Sequence, residues 1–107
     1  MTKKDYKTFD EVMPKIAFHT ELPKMALKDA LDKKYLISDA SIVKDYESKF
    51  GTSDFALLLI VDVETGEEYT TLCGGQVVVK KIQYALDHRL LPLSGILCKP
   101  GEYYDIV

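Results

Sequence analysis

The spacing of hydrophobic positions is helical near the N-terminus. Thr8 opens a capping-box pattern, TFDE, but Pro14 lies six positions further on and removes a helical hydrogen bond. A second helical pattern begins near Pro23 and runs through KMALKDALDKK. We therefore expect residues 1–25 to be an N-terminal extension with short helical segments, followed by one domain over residues 26–107.

The pattern then changes to that of strands. Residues 35–47 are rich in Ile, Val and Tyr without a helical period, which predicts a long strand. Residues 49–54, KFGTSD, predict a loop. The segment FALLLIVDV, residues 55–63, is apolar on both faces and predicts a central strand. A turn at residues 64–67 then leads into a strand over residues 69–73, which gives a hairpin.

One helix interrupts this series of strands. After Gly74-Gly75, the segment QVVVKKIQYALDHR begins with three valines that favour a strand, but its later spacing favours a helix. The apolar stripe of this helix is Val78, Val79, Ile82, Ala85 and Leu86. A strand over residues 91–98, a turn at Lys99-Pro100-Gly101 and a last strand over residues 102–107 complete the chain.

The predicted order of elements, β-β-β-α-β-β, is that of the OB-fold. This fold is a five-stranded Greek-key barrel, and its single helix lies between the third and fourth strands. The apolar stripe of the predicted helix suits it to cover the open end of such a barrel. We therefore predict a mainly β protein with an OB-fold barrel and an N-terminal extension.

Composition and charge narrow the class of protein. Hydrophobic residues make up 47% of the chain and charged residues 29%, which is typical of a globular domain. No apolar run approaches the roughly 20 residues of a membrane helix, and no secretory signal is recognised, so we expect a cytoplasmic protein without membrane association. Cys73 and Cys98 lack a CxxC or a neighbouring histidine, so we expect no disulfide framework and no zinc site. We also expect no cofactor and no other metal.

The distribution of charge limits how this chain can contact a polyanion. The formal net charge is −3, which argues against a strongly basic nucleic-acid binder. Residues 1–50 carry ten Lys and nine Asp or Glu, whereas residues 51–107 carry four basic and eight acidic residues. Any basic surface must therefore draw on the first half of the chain.

From Leu27 onward, the chain resembles the small phage-encoded single-stranded DNA-binding proteins. The segments that carry the resemblance are LKDAL, the FG before the apolar strand, EEYTTLCGGQVVVKKI and the LP...KPGEYYDI ending. The resemblance implies a non-catalytic OB-fold protein that coats single strands during viral or plasmid DNA replication and recombination, in the host cytoplasm if viral. The acidic second half of the chain departs from that pattern.

Binding of single strands without sequence preference requires lysines for phosphates and aromatic rings on which bases stack. OB-folds place these groups on strands two and three and on the loops between strands one and two and strands four and five. The residues predicted to bind nucleic acid are Lys44, Tyr46, Lys49, Phe50, Tyr69, Thr71, Lys99 and Tyr103. Two alternatives stay open: Phe50 as a loop anchor and Tyr69 as a tyrosine packed on the barrel wall. We assign Tyr104 to the core.

Rival functions have weaker support in the sequence. His19 and His88 have no catalytic motif around them, and His88 is better explained as a helix C-terminal cap. Asp62 and the glutamates that follow it lack the ligand order of a calcium loop. The alternative function is an OB-fold protein-interaction module, an oligomeric accessory or regulatory protein. Expected partners are single-stranded DNA and replication or recombination proteins, and homodimer formation is left open.

Overall fold

The computed structural model describes residues 18–48 and 51–107. The elements in chain order are a one-turn helix α1 (Leu27–Ala30), strands β1 (Lys34–Ser48), β2 (Gly51–Asp62) and β3 (Glu68–Cys73), helix α2 (Gln76–Asp87), and strands β4 (Leu93–Cys98) and β5 (Asp105–Ile106). The mainly β class and the single helix between the third and fourth strands are confirmed. Within these residues, no helix is both long enough and apolar enough to cross a membrane.

The five strands form one open antiparallel sheet in the order β3-β2-β1-β4-β5. Strands β3 and β5 are its two ends and are not paired with each other, so the sheet is not closed into a barrel. Strand β2 lies between β1 and β3, as its apolar residues on both faces predict. We call the face that contacts α2 the inner face and the opposite one the outer face.

A β-bulge keeps the apolar side chains of β1 on one face. The register with β2 moves from Ile37 opposite Ile60 to Asp39 opposite Leu59, so Ser38 is an extra residue. Because side chains alternate along a strand, this extra residue shifts the inner-facing positions from odd to even numbers. Tyr35 and Ile37 before the bulge, and Ala40 and Ile42 after it, therefore all contact the core.

Helix α2 packs its apolar stripe on the inner face of the sheet. Val78, Val79, Ile82 and Ala85 are buried, and Leu86 is partly buried against the core. The core residues from the strands include Leu58, Ile60, Cys73 and Leu97. Each fully buried aliphatic side chain contributes about 1.5–3 kcal/mol to folding, so tertiary burial outweighs the weak helix preference of the valines.

Several elements differ in length from the prediction. Residues 51–54, which were predicted to be part of a loop, belong to β2, which begins at Gly51. Strand β4 begins at Leu93 rather than at residue 91, and β5 has only two residues. The second N-terminal helix is a single turn, because Leu31 is extended and Asp32 has a φ of 63°. The capping box at Thr8 lies outside the described residues.

The backbone N–H of Asp32 forms a tertiary hydrogen bond instead of one within a longer helix. Its N–H donates to the carbonyl of Leu97 on β4, with an N···O distance of 2.7 Å. In the described part of the predicted extension, Lys24 forms a parallel bridge with Thr70 along the edge of β3 that is not paired with β2. Met25 and Leu27 pack against the core. Residues 18–25 are therefore attached to the same sheet.

Candidate nucleic-acid interface

The turn between β4 and β5, residues 99–104, presents one lysine and two tyrosines. The Lys99 Nζ lies 5.4 Å from the centre of the Tyr104 ring, which is within cation–π range. Tyr104 is half-buried against the core, whereas Tyr103 is 50% exposed. Tyr104 packs against the core, as predicted, and Tyr103 is exposed, while its contact with nucleic acid stays a prediction. Consecutive positions near a strand end face opposite ways, which explains the difference in burial.

The far part of the β1–β2 hairpin carries Lys44, which is exposed. The strand is irregular between Val43 and Tyr46, and Asp45 there has a φ of 56°. The N–H of Asp45 donates to Asp54 Oδ1 on β2 at 2.8 Å. This bond crosses the hairpin next to Lys44 and fixes the backbone from which the lysine projects.

The start of α2 connects the hairpin to the β4–β5 turn. The Gln76 Nε2 donates to the backbone carbonyl of Asp54 at 3.4 Å and to that of Gly74 at 3.3 Å. Gly75 lies against Tyr104, since a Cβ added to the glycine would be 3.0 Å from the Tyr104 Cβ. These contacts place Lys44 and the β4–β5 turn at the same end of the molecule, where α2 begins.

Two of the predicted site residues on β3 lie on the inner face. Tyr69 is opposite Ile60, and Thr71 is opposite Leu58, and both partners are core residues. Thr71 is only 4% exposed, and Tyr69 is half-buried with its hydroxyl donating to the Glu67 carboxylate. That hydrogen bond, together with burial, raises the pKa of Tyr69. Thr71 is therefore too buried to contact a nucleic acid, contrary to the prediction.

The alternation of β3 instead exposes Leu72 on the outer face, where it is 50% exposed. Its register with β2 and β1 defines a row across the sheet formed by Ser41, Leu57 and Leu72. The signal that could have identified this face is Cys73, since a buried cysteine fixes the inner positions of β3 as odd-numbered.

Three predicted site residues lie wholly or partly outside the part of the chain that the structure describes. Lys49 and Phe50 lie outside the described residues, and the side chain of Tyr46 also falls outside the part that the structure describes. Of the residues on the β1–β2 hairpin that were predicted to bind nucleic acid, Lys44 is therefore the one whose side chain the structure describes.

The first acidic residue of the hairpin between β2 and β3, Asp62, has a structural role. Asp62 is buried at 6% exposure, and its Oδ2 lies 2.6 Å from the Lys33 Nζ. Its Oδ1 accepts a hydrogen bond from the Glu64 N–H at 2.8 Å. Across residues 18–48 and 51–107, no group of three or more His, Cys, Asp or Glu side chains is arranged to hold a metal ion.

The remaining polar candidates have local roles. His88 is the C-cap residue of α2, its Nδ1 lies 2.9 Å from the Tyr84 carbonyl, and its ring stacks on that of Tyr84 at 4.0 Å. The cap interpretation is consistent with this geometry. Cys73 and Cys98 are both free thiols, and burial raises the pKa of Cys73.

The chain matches no protein-family model, no curated protein and no solved structure. The class of the molecule therefore comes from its own geometry, a mainly β protein with an open five-stranded antiparallel sheet covered on one face by a helix.

Proposed function

We propose that this protein is a non-catalytic single-stranded DNA-binding protein with OB topology. The observation that carries the proposal is the strand order β3-β2-β1-β4-β5 with one helix after β3. This order is that of the strands around an OB barrel opened between its third and fifth strands, and OB barrels are often only partly closed.

The positions of the candidate side chains support the same function. Ligands of OB-folds contact the face of strands two and three and the loops between strands one and two and strands four and five. Lys99 lies in the loop between strands four and five, and Lys44 lies on β1 before the loop between strands one and two. Contacts through α2 join these two regions at one end of the molecule. The lysines are suited to phosphates, and the exposed ring of Tyr103 is suited to a base.

The row Ser41, Leu57 and Leu72 continues this surface along the outer face. It offers apolar contact to a base or sugar rather than an aromatic stack. Few lysines take part, so the proposal predicts that the affinity for DNA depends only weakly on salt concentration. The slope of log Kd against log salt should be about 0.7 for each phosphate contact with a single strand.

Fluorescence anisotropy of a labelled oligothymidine, with duplex DNA as competitor, tests the proposal. Base stacking on an aromatic ring contributes about 1–3 kcal/mol, so Tyr103→Ala should weaken binding by about 5- to 150-fold. Tyr84→Ala is the matched control, because Tyr84 is a similarly exposed tyrosine, at 59%, on α2. Lys99→Ala should weaken binding and reduce the salt slope, whereas Lys80→Ala on the exposed side of α2 should do neither.

Absence of oligothymidine binding at low salt would contradict the proposal. Equal losses in the Tyr103 and Tyr84 variants would also contradict it, since the surface at the β4–β5 turn would then have no special role. Preference for duplex over single strands would exclude the stacking mechanism.

A protein-interaction module is the second candidate, and a particular surface favours it. Leu93 and Val107 are 44% and 69% exposed and line an apolar pocket of about 190 Å³ between α2, β1, β4 and β5. Leu90, 43% exposed, precedes the pocket residue Leu91. If oligothymidine does not bind, substitution of Leu93 by Asp combined with measurement of oligomeric state or partner binding tests this alternative.

A further inference from the structure

A strap formed by residues 18–25 crosses the outer face of the sheet. Asp39 on β1, Leu59 on β2 and Thr70 on β3 are in register with one another and form one row across this face. His19 contacts the β1 end of the row, and Lys24 forms a bridge at the β3 end. The strap therefore spans three strands.

Different interactions hold the two ends of the strap. At β1, the His19 Nε2 lies 2.7 Å from Asp39 Oδ2. At β3, the N–H of Met25 donates to the Thr70 carbonyl at 2.8 Å, and the N–H of Thr70 donates to the Pro23 carbonyl at 3.0 Å. Leu59 in the middle of the row is 4% exposed, and Thr70 at its β3 end is 6% exposed.

The β1 end is an electrostatic contact that depends on protonation. His19 faces two carboxylates, Asp39 from β1 and Glu21 from the strap itself, with Glu21 Oε1 at 3.7 Å from Nδ1. The ring of Phe18 packs edge-on against the imidazole. The hydrogen bond to Asp39 and the two negative charges raise the pKa of His19 above its ordinary value of 6.5.

The direction of the pH effect follows from this shift. Because the pKa of His19 is higher when the strap is docked, the charged imidazole stabilises docking at pH values below 6.5. That contribution is lost as the pH rises above 6.5 and through the raised pKa. A neutral imidazole can still donate from Nε2, so the contact is weakened rather than abolished.

We propose that the strap is an autoinhibitory cover of the outer face, held closed by the contact between His19 and Asp39 and loosened when His19 loses its proton. The inference rests on the proposed function, because the covered row belongs to the strand face that ligands of OB-folds use. The neighbouring row, Ser41, Leu57 and Leu72, stays partly exposed beside the strap. A single strand of DNA that runs along this face from the β4–β5 turn would reach the strap at the row Asp39, Leu59 and Thr70.

Hydrogen exchange of the full chain tests the opening of the strap without any ligand. The amides of Met25 and Thr70 report on the strap, and the amide of Leu58 in the central strand reports on global unfolding. After correction for intrinsic exchange, the protection of Met25 and Thr70 should fall relative to that of Leu58 between about pH 6 and about pH 8.

Two variants isolate the contact at β1. Asp39→Asn and His19→Gln should remove the pH dependence and lower the protection of Met25 and Thr70 at about pH 6. Asp29→Asn, an exposed carboxylate on α1, is the matched control and should change neither. Protection that is independent of pH in the wild-type protein, or unchanged in both variants, would overturn the strap as a protonation-dependent device.

Oligothymidine binding tests the autoinhibitory role. If the strap is open in about a tenth of the molecules at low pH, Asp39→Asn should bind about tenfold more tightly there, with a smaller gain at high pH. Opening that is seen by exchange but leaves affinity unchanged overturns the autoinhibition and leaves the proposed function intact. Absence of binding by wild type and variant at either pH overturns the proposed function and the autoinhibition, whereas exchange then still reports whether the strap opens.

Discussion

Lys33 and Asp62 are joined by an ion pair, with the lysine Nζ 2.6 Å from the carboxylate Oδ2. The two residues are 29 positions apart, one just before β1 and the other at the end of β2. The Asp62 side chain is only 8% exposed, and its other oxygen accepts from the N–H groups of Glu64 and Thr65. One carboxylate therefore holds the entry to β1 and the turn after β2 together.

The first prediction concerns Asp62 and acid. The hydrogen bond from Lys33, supported by the backbone donors of the turn, lowers the pKa of Asp62 below 3.8. The stability that this group contributes is therefore present above pH 3.8 and is lost as the pH falls through the lowered pKa. Asp62→Asn should lower the urea unfolding midpoint at neutral pH and make the loss of stability in acid less steep.

Urea unfolding midpoints measured at a series of pH values check this prediction. Glu102→Gln, which changes an exposed carboxylate at the β4–β5 turn, is the control and should keep the wild-type acid dependence. An Asp62→Asn protein with the same slope of stability against pH as the wild type would contradict the role given to the carboxylate.

The second prediction compares two glycines. Gly66 in the β2–β3 turn has a φ of 78°, and its N–H donates to the Asp62 carbonyl at 2.7 Å. A Cβ added there meets no atom within 4 Å, so the cost of Gly66→Ala is conformational and should be about 1–2 kcal/mol. A Cβ added at Gly74 also meets no atom within 4 Å, and Gly74 does not have a positive φ.

Chemical denaturation of the two alanine variants provides the measurement. Gly74→Ala should change stability by less than about 0.5 kcal/mol, because neither a contact nor a left-handed backbone opposes it. Equal stabilities of the two variants would show that the turn accepts a different conformation.

The third prediction concerns the attachment of β5. The Lys81 Nζ lies 2.7 Å from Asp105 Oδ1 and donates to the Ile106 carbonyl at 3.0 Å, although its spacing in the sequence indicates only a solvated helix face. Lys81→Met should loosen β5, since this strand has only two residues to hold it. The amide of Val107, which donates to the Ile96 carbonyl at 3.0 Å, should then exchange faster.

Lys80→Met is the matched control, because Lys80 is the exposed neighbour of Lys81 on α2. Hydrogen exchange followed by NMR should show unchanged protection of Val107 in that variant. Faster exchange in both variants would mean that the charge of the helix, rather than the contact of Lys81, attaches the strand.

The fourth prediction compares two leucines on neighbouring strands. Leu58 on β2 is completely buried on the inner face, whereas Leu72 on β3 is 50% exposed on the outer face. Leu58→Ala should cost about 2–5 kcal/mol, because it removes buried methyl groups and leaves a cavity. Leu72→Ala should cost less than about 1 kcal/mol by the same denaturation measurement. A larger loss for Leu72 would place the core on the other face of the sheet.

Local patterns along the chain predicted most of the fold. The double-sided apolar segment that contains Leu58 indicated a central strand, and the stripe of Val78 and Ile82 indicated a helix after the third strand. Both follow from periodicity, which reports how many faces of an element are buried. The face of β3 was harder to assign, because Tyr69 and Thr71 are residue types that occur both in cores and on surfaces.

The sequence by itself determined which segments become strands and helix, because alternation, helical spacing and glycine positions act over a few residues. Only the tertiary structure decided the inward side of β3, the length of α1 and the contacts of His19, Asp62 and Lys81. The three side-chain contacts join residues that are 20 to 29 positions apart in the chain, and the positions of these partners are set when the sheet assembles. A bulge at Ser38 shows the physical reason, since one extra residue reverses every later side chain, and only pairing with β2 reveals that it is there.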